Sequence, residues 1–199
     1  MRRILLFLLL GIGLATAIGF GWALRHGEIP PLPEAPIRDE DMVSRGEDLA
    51  QLGGCQSCHG EDLSGGAALE TPFGTIFVTN ITPDVDTGIG MWSAEAFRRA
   101  MRHGVDREGR YLYPAFPFDA FTNTTDADLD ALYAYLQSVP AVSKNAASNT
   151  FGFPFNNRIL MAGWGMLFLD PGPYVPDPEQ DEVWNRGAYL TEGLGHCQA

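Results

Sequence analysis

The chain has 199 residues, a hydrophobic fraction of 45%, and a formal net charge of −12 with 25 acidic against 13 basic residues. That length allows one or two domains, and the acidic balance argues against nucleic acid, which selects basic surfaces. Three cysteines do not make a disulfide framework, and 14 prolines with 23 glycines point to few long elements and much loop.

Met1-Arg2-Arg3 is a short positive segment, followed from Ile4 to Leu24 by a run without charge. As a helix this run is about 30 Å long, enough to cross the hydrocarbon core of a bilayer. Ala15-Thr16-Ala17 has the small residues of a signal-peptide cleavage site. The apolar run continues well past Ala17, which favours an uncleaved anchor over a removed leader. Residues 1–27 are therefore expected to anchor the chain, with Arg2 and Arg3 cytoplasmic and the remainder exported. Residues 28–40 contain four prolines and read as a semi-rigid spacer.

Val43 to Leu52 is expected to be a helix, with Asp41 or Ser44 near its cap and Gly53-Gly54 at its end. Gly46, costly inside a helix, implies close crossing by an aromatic side chain, Tyr133 or Tyr135, of a second helix over 126–139. That helix carries Leu129, Leu132, Tyr133 and Leu136 on one face, with Thr125 and Asp128 at its start and Pro140 beyond its end. Ser93 to His103 reads as a third helix, capped by Ser93 and terminated by Gly104, with Phe97, Ala100 and Met101 in one stripe. Residues 71–83, broken by proline and glycine, read as extended loop rather than sheet.

The chemistry is concentrated in Cys55-Gln56-Ser57-Cys58-His59. Two thiols three positions apart followed by an imidazole are the pattern of covalent haem attachment. Cys55 and Cys58 on one turn can each form a thioether to a haem vinyl group, and His59 can then ligate the iron. A zinc site would need two more ligands at suitable spacing, whereas Cys197, His26, His103 and His196 are scattered. A thioredoxin-like dithiol needs a flanking strand and helix, and a glycine-rich loop follows here.

After Ala141 the composition changes. Residues 143–150 are polar and 151–178 are rich in aromatics, glycine and proline, so 143–182 reads as an interdomain linker. Met161 to Phe168 is apolar but too short to span a membrane; it is expected to pack between domains or against a partner protein, an interfacial membrane contact being the lesser alternative. A repeat then begins: Arg45-Gly46 through Cys55-Gln56 is echoed by Arg186-Gly187 through Cys197-Gln198. Cys197 thus reads as the first thioether cysteine of a second, truncated haem domain over 183–199, a free thiol being the alternative. As written, the chain holds one complete haem site.

The stretches TPFGTIFVTNITPDVDTGIGMWS (71–93), GRYLYPAFPF (109–118), DLDALYAYLQSVPAV (128–142) and FPFNNRILMAGWGMLF (153–168) resemble the cytochrome c subunits of membrane-bound periplasmic dehydrogenases, including alcohol, gluconate and aldehyde dehydrogenases and molybdenum hydroxylases. The resemblance implies a mostly α, class I cytochrome c-like haem domain over 41–142, with long loops, behind an N-terminal transmembrane helix. It also implies haem c, a dehydrogenase catalytic subunit as partner, and a quinone or terminal oxidase as electron acceptor, with the chain on the periplasmic side of the bacterial cytoplasmic membrane. It implies an electron carrier rather than an enzyme. Many members have Met where this chain has Phe116, which has no lone pair for iron. The sixth ligand is then expected from Met101 first, His103 second and Met91 third. An open sixth position that binds or senses a small ligand is the alternative.

Overall fold

The computed structural model describes residues 26–30 and 39–197, together with Gly11, Gly13 and Gly21. The expected anchor falls almost wholly outside the described residues, as does most of the proline-rich spacer. Among the described residues no helix is long and apolar enough to cross a membrane.

The fold is mostly helical and centres on two crossing helices. Helix α1 spans Glu40–Leu52 and is capped by Asp39, whose carboxylate accepts from the Asp41 and Met42 amides at 3.0 and 3.2 Å. The helix therefore starts three residues before the expected Val43, and neither Asp41 nor Ser44 is its cap. A carboxylate just ahead of the first turn satisfies free N–H groups and meets the positive end of the helix dipole. Next come the one-turn helix α2 (Cys55–His59), strands β1 (Ala68–Thr71) and β2 (Gly74–Phe77), helix α3 (Ala94–His103) and the short α4 (Phe118–Phe121). Helices α5 (Asp126–Leu136), α6 (Ile159–Phe168) and α7 (Glu182–Glu192) complete the order within residues 39–197.

The caps read from the sequence for α3 and α5 are present. Ser93 accepts from the Ala96 amide at 3.1 Å, Gly104 ends α3 at φ 61°, and Thr125 accepts from the Asp128 amide at 3.2 Å. Helix α5 stops at Leu136 rather than Val139: Ser138 N–H turns back to the Tyr135 carbonyl and the buried Gln137 side chain donates to the Ile89 carbonyl. At the α1–α5 crossing, a Cβ on Gly46 would lie 2.0 Å from the Ala131 carbonyl oxygen and 2.7 Å from Tyr135 Cβ. The expected close approach exists, but the obstacle is chiefly the α5 backbone and only secondarily the base of Tyr135. Tyr133 turns elsewhere, donating to the Trp92 carbonyl at 2.7 Å and packing on Phe97.

Residues 71–77 correct the expectation of an extended loop rather than sheet. Strands β1 and β2 pair antiparallel with Ala68 opposite Phe77 and Thr71 opposite Gly74. Pro72 and Phe73 form the turn, and Gly74, at φ 132°, takes a backbone angle that favours glycine. The apparent strand breakers thus sit at the hairpin tip. Asn149 and Thr150 fasten to β2 through bonds to Phe77 and Thr75 at 2.9 Å, so this part of the polar stretch is docked on the hairpin.

The core gathers Leu49, Leu63, Ile89, Phe97, Met101, Phe121, Leu129, Leu132 and Leu136. Leu129 and Leu132 are fully enclosed, and each contributes on the order of 1.5–3 kcal/mol by burial. The repeat-bearing C-terminal segment joins this core. Leu194 lies in it, and Tyr189 donates to the buried carboxylate of Asp128, which also accepts from Arg45 at 2.7 Å. The Thr125 amide donates to the Tyr189 hydroxyl at 3.1 Å. Like α1, helix α7 is capped by an aspartate, Asp181.

Candidate haem site

Helix α2 is isolated by two glycines, Gly54 at φ 61° and Gly60 at φ 82°, both in backbone space that side chains disfavour. Within this single turn Cys55 and Cys58 stand at i and i+3 and His59 at i+4 from Cys55, so all three lie on adjoining faces. Both thiols are free, Cys55 half-buried against the core and Cys58 exposed. Burial pushes the Cys55 thiol up to about 11, with its own backbone bond opposing and Cys58 adding to the rise. It is a neutral thiol at physiological pH.

The His59 ring is oriented from the far side of the loop, its Nδ1 lying 2.7 Å from the Thr79 carbonyl oxygen. A carbonyl can only accept, so Nδ1 carries the proton and Nε2 keeps its lone pair for a metal. Burial lowers the His59 pKa, the Thr79 bond opposing, and the ring stays neutral as a ligand requires. The Thr79 carbonyl is itself held. Gly65 packs so tightly that a Cβ would lie 2.4 Å from it, while Ile81 N–H bonds the Leu63 carbonyl and Gly66 N–H the Val78 carbonyl. Buried Asn80, which accepts from Thr82 and donates to the Thr87 hydroxyl and the Val142 carbonyl, secures the next residue. Thr79 is the positioning group that sequence reading missed. It acts through its backbone, so no side-chain signal marks it.

The other candidates are dispersed. Met101 is buried in the same apolar cluster that Cys55 packs against. His103 is exposed on the far end of α3, with its pKa lowered by partial burial and then by nearby His26, Arg102 and Arg99. Met91 is on the surface. Phe116 packs on the core with its ring 5.2 Å from that of Phe121. Cys197 is exposed; three residues earlier, Leu194 lies beside Gly53, two residues ahead of Cys55.

The donor set fits a covalently attached haem: two free thiols and a neutral imidazole on one turn, with apolar Met101, Phe116 and Cys55 on a common core. A family model described as cytochrome c matches residues 43–140. A diheme cytochrome c-type protein of Cereibacter sphaeroides is 39% identical over 209 residues, covering 99% of this chain and 68% of that protein. The chain belongs to the cytochrome c family. Its fold is accordingly the cytochrome c fold, and its cofactor is covalently bound haem c. The cytochrome is also 51% identical over 190 residues to a nicotinate dehydrogenase subunit of Pseudomonas putida, and 42% identical over 167 residues to the gluconate 2-dehydrogenase cytochrome c subunit of Pantoea cypripedii. These alignments cover 94% and 81% of the cytochrome but only 16% and 38% of the relatives, so the chain spans a minor part of their length.

Proposed function

We propose that this cytochrome is the electron-transfer part of a dehydrogenase complex, taking electrons from a periplasm-facing catalytic subunit and delivering them to a quinone or terminal oxidase. The observation that carries the reading is the His59–Thr79 bond, which presents one imidazole nitrogen beside two free thiols on the same turn. Names of the relatives supply the setting: they are subunits of nicotinate and gluconate dehydrogenases. Bound haem contributes a one-electron ferric–ferrous couple. The chain's own residues do the rest. Cys55 and Cys58 would hold the macrocycle through thioethers, His59 would ligate the iron, and Met101 would supply a second iron ligand from within the core. Cys197 is assigned as the first thioether cysteine of a second site. The uncharged Ile4–Leu24 run tethers the assembly to the cytoplasmic membrane on its periplasmic side. A net charge of −12 suits docking to a basic surface on the catalytic subunit.

The test is absorption spectroscopy and potentiometry on the haem-loaded chain. Low-spin spectra with the weak ferric sulfur-to-iron band are expected. Met101→Ala should abolish that band and move the potential negative, within the ~0.8 V range that axial ligands command. An unchanged spectrum and potential in Met101→Ala would reduce Met101 to core filler. A high-spin ferric spectrum in the unsubstituted protein, with ready carbon monoxide binding after reduction, would overturn the electron-carrier reading in favour of an open ligand site.

A further inference from the structure

Helix α6 is built unlike α1–α5 and α7. From Ile159 to Leu169 the sequence contains no charged side chain, and the indole N–H of Trp164 is its only polar side-chain group. Yet the helix is not buried: Leu160, Met166, Leu167 and Phe168 are exposed, Leu167 at 77%, with Phe153 just ahead at 86%. It is nonetheless firmly mounted. Ala162 is buried, the Trp164 ring stands edge-on to Phe118 at 5.2 Å, and Arg158 donates to the Tyr111 carbonyl at 2.7 Å while covering the Tyr113 ring.

The same Tyr111 receives His26, at the start of the described 26–30 stretch. The His26 ring meets the Tyr111 ring at 5.3 Å, Arg99 donates to the Gly27 carbonyl at 2.6 Å, and Ile29 N–H bonds the Arg107 carbonyl at 2.9 Å. The uncharged run ends at Leu24, two residues before His26. His26, just beyond that run, and Arg158, the residue that caps α6, are therefore both attached to the 106–111 loop.

We propose that α6 is a second membrane contact, lying in the plane of the bilayer interface with its exposed apolar face among the acyl chains; this rests on the reading of Ile4–Leu24 as an anchor. The occupant is lipid rather than protein for three reasons. A protein interface carries about one hydrogen bond per 100–200 Å², and this face offers almost no polar partner. A ten-residue helix is ~15 Å long, half the hydrocarbon thickness, so it can lie in the interface but not span it. The acidic chain has no long-range attraction for anionic headgroups, but an adjacent anchor raises the local concentration of bilayer around α6 to the millimolar range. Apolar burial then suffices to insert the face about 5–10 Å, with the exposed Leu167 and Phe168 foremost.

The experiment uses the full haem-loaded chain in nanodiscs of phosphatidylcholine carrying a diazirine in its acyl chains. After irradiation, adducts are mapped by mass spectrometry. Adducts in both the 4–24 and the 159–168 peptides are expected, and the double substitution Leu160→Lys, Leu167→Lys should remove the second set and leave the first, with the haem spectrum unchanged. Adducts in the anchor peptide alone overturn the α6 contact while sparing the anchor, and a protein partner then becomes the occupant. Adducts at 159–168 alone sustain the α6 contact and overturn the anchor. Adducts in neither overturn both.

Discussion

Replacing Gly46 by alanine tests the geometry of the α1–α5 crossing. The added methyl would start 2.0 Å from the Ala131 carbonyl oxygen and 2.6 Å from its carbon, against the 3.4 Å or more of an ordinary contact. The obstacle is helix backbone, so relief requires α5 to move by more than 1 Å and to loosen the packing of Leu129 and Leu132. Overpacking of this kind costs about 1–3 kcal/mol, and a rigid obstacle places Gly46 at the upper end. Alanine's helical advantage over glycine returns roughly 0.5–1 kcal/mol, leaving a net loss of about 2 kcal/mol. In a domain of roughly 100 residues that lowers Tm by about 8–16 °C. Its counterpart in the repeat, Gly187, has nothing within 4 Å of a Cβ. Gly187→Ala should therefore raise Tm by a few degrees, showing the propensity effect alone. Thermal melts of the ferric haem-loaded protein, followed in the Soret region, measure both. A Gly46→Ala protein as stable as its parent would refute the backbone-contact account.

Tyr189→Phe removes the hydroxyl shared by Asp128 and the Thr125 amide; urea denaturation should show a loss of roughly 1–3 kcal/mol, and an unchanged midpoint would mean that α7 adds no stability through this bond. Burial pushes the Tyr133 hydroxyl up to about 12. A folded-state pKa above the unfolded value of about 10 means that this contribution is intact below pH 10 and fades as pH rises towards 12. Denaturation midpoints across that window should fall less steeply in Tyr133→Phe. Under the proposed function, reduction of the haem by the proposed dehydrogenase subunit should slow with added salt, because screening over about 10 Å at 0.1 M weakens a charge-steered encounter; salt-independent rates would argue for an apolar docking face.

Legibility followed sequence distance. The Cys55–His59 turn and the caps at Ser93, Gly104 and Thr125 are encoded within five residues, and local chemistry suffices to read them. Gly46 announced a close approach, but whether a ring or a carbonyl would fill it depended on how two distant helices settle. Pro72 and Gly74 read as breakers because composition alone does not distinguish a strand interrupted by a turn from a loop. Asp128 looked like a partner of the α5 cap; its carboxylate instead serves Arg45 and Tyr189, 83 and 61 residues away in sequence. The Thr79 carbonyl left no trace, since any residue supplies one.

The same separation has a bearing on how the protein is made. Arg45 and Asp128 bracket a loop that contains both thiols and His59, and closing it carries an entropic cost on the order of 4 kcal/mol. Local helices form in microseconds or less, whereas this long-range crossing must wait for that closure to be offset by apolar burial. Cys55 and Cys58 consequently spend the early life of the newly made chain on an open segment. The order of events thus favours covalent attachment first, with the crossing of α1 and α5 sealing the site behind the cofactor.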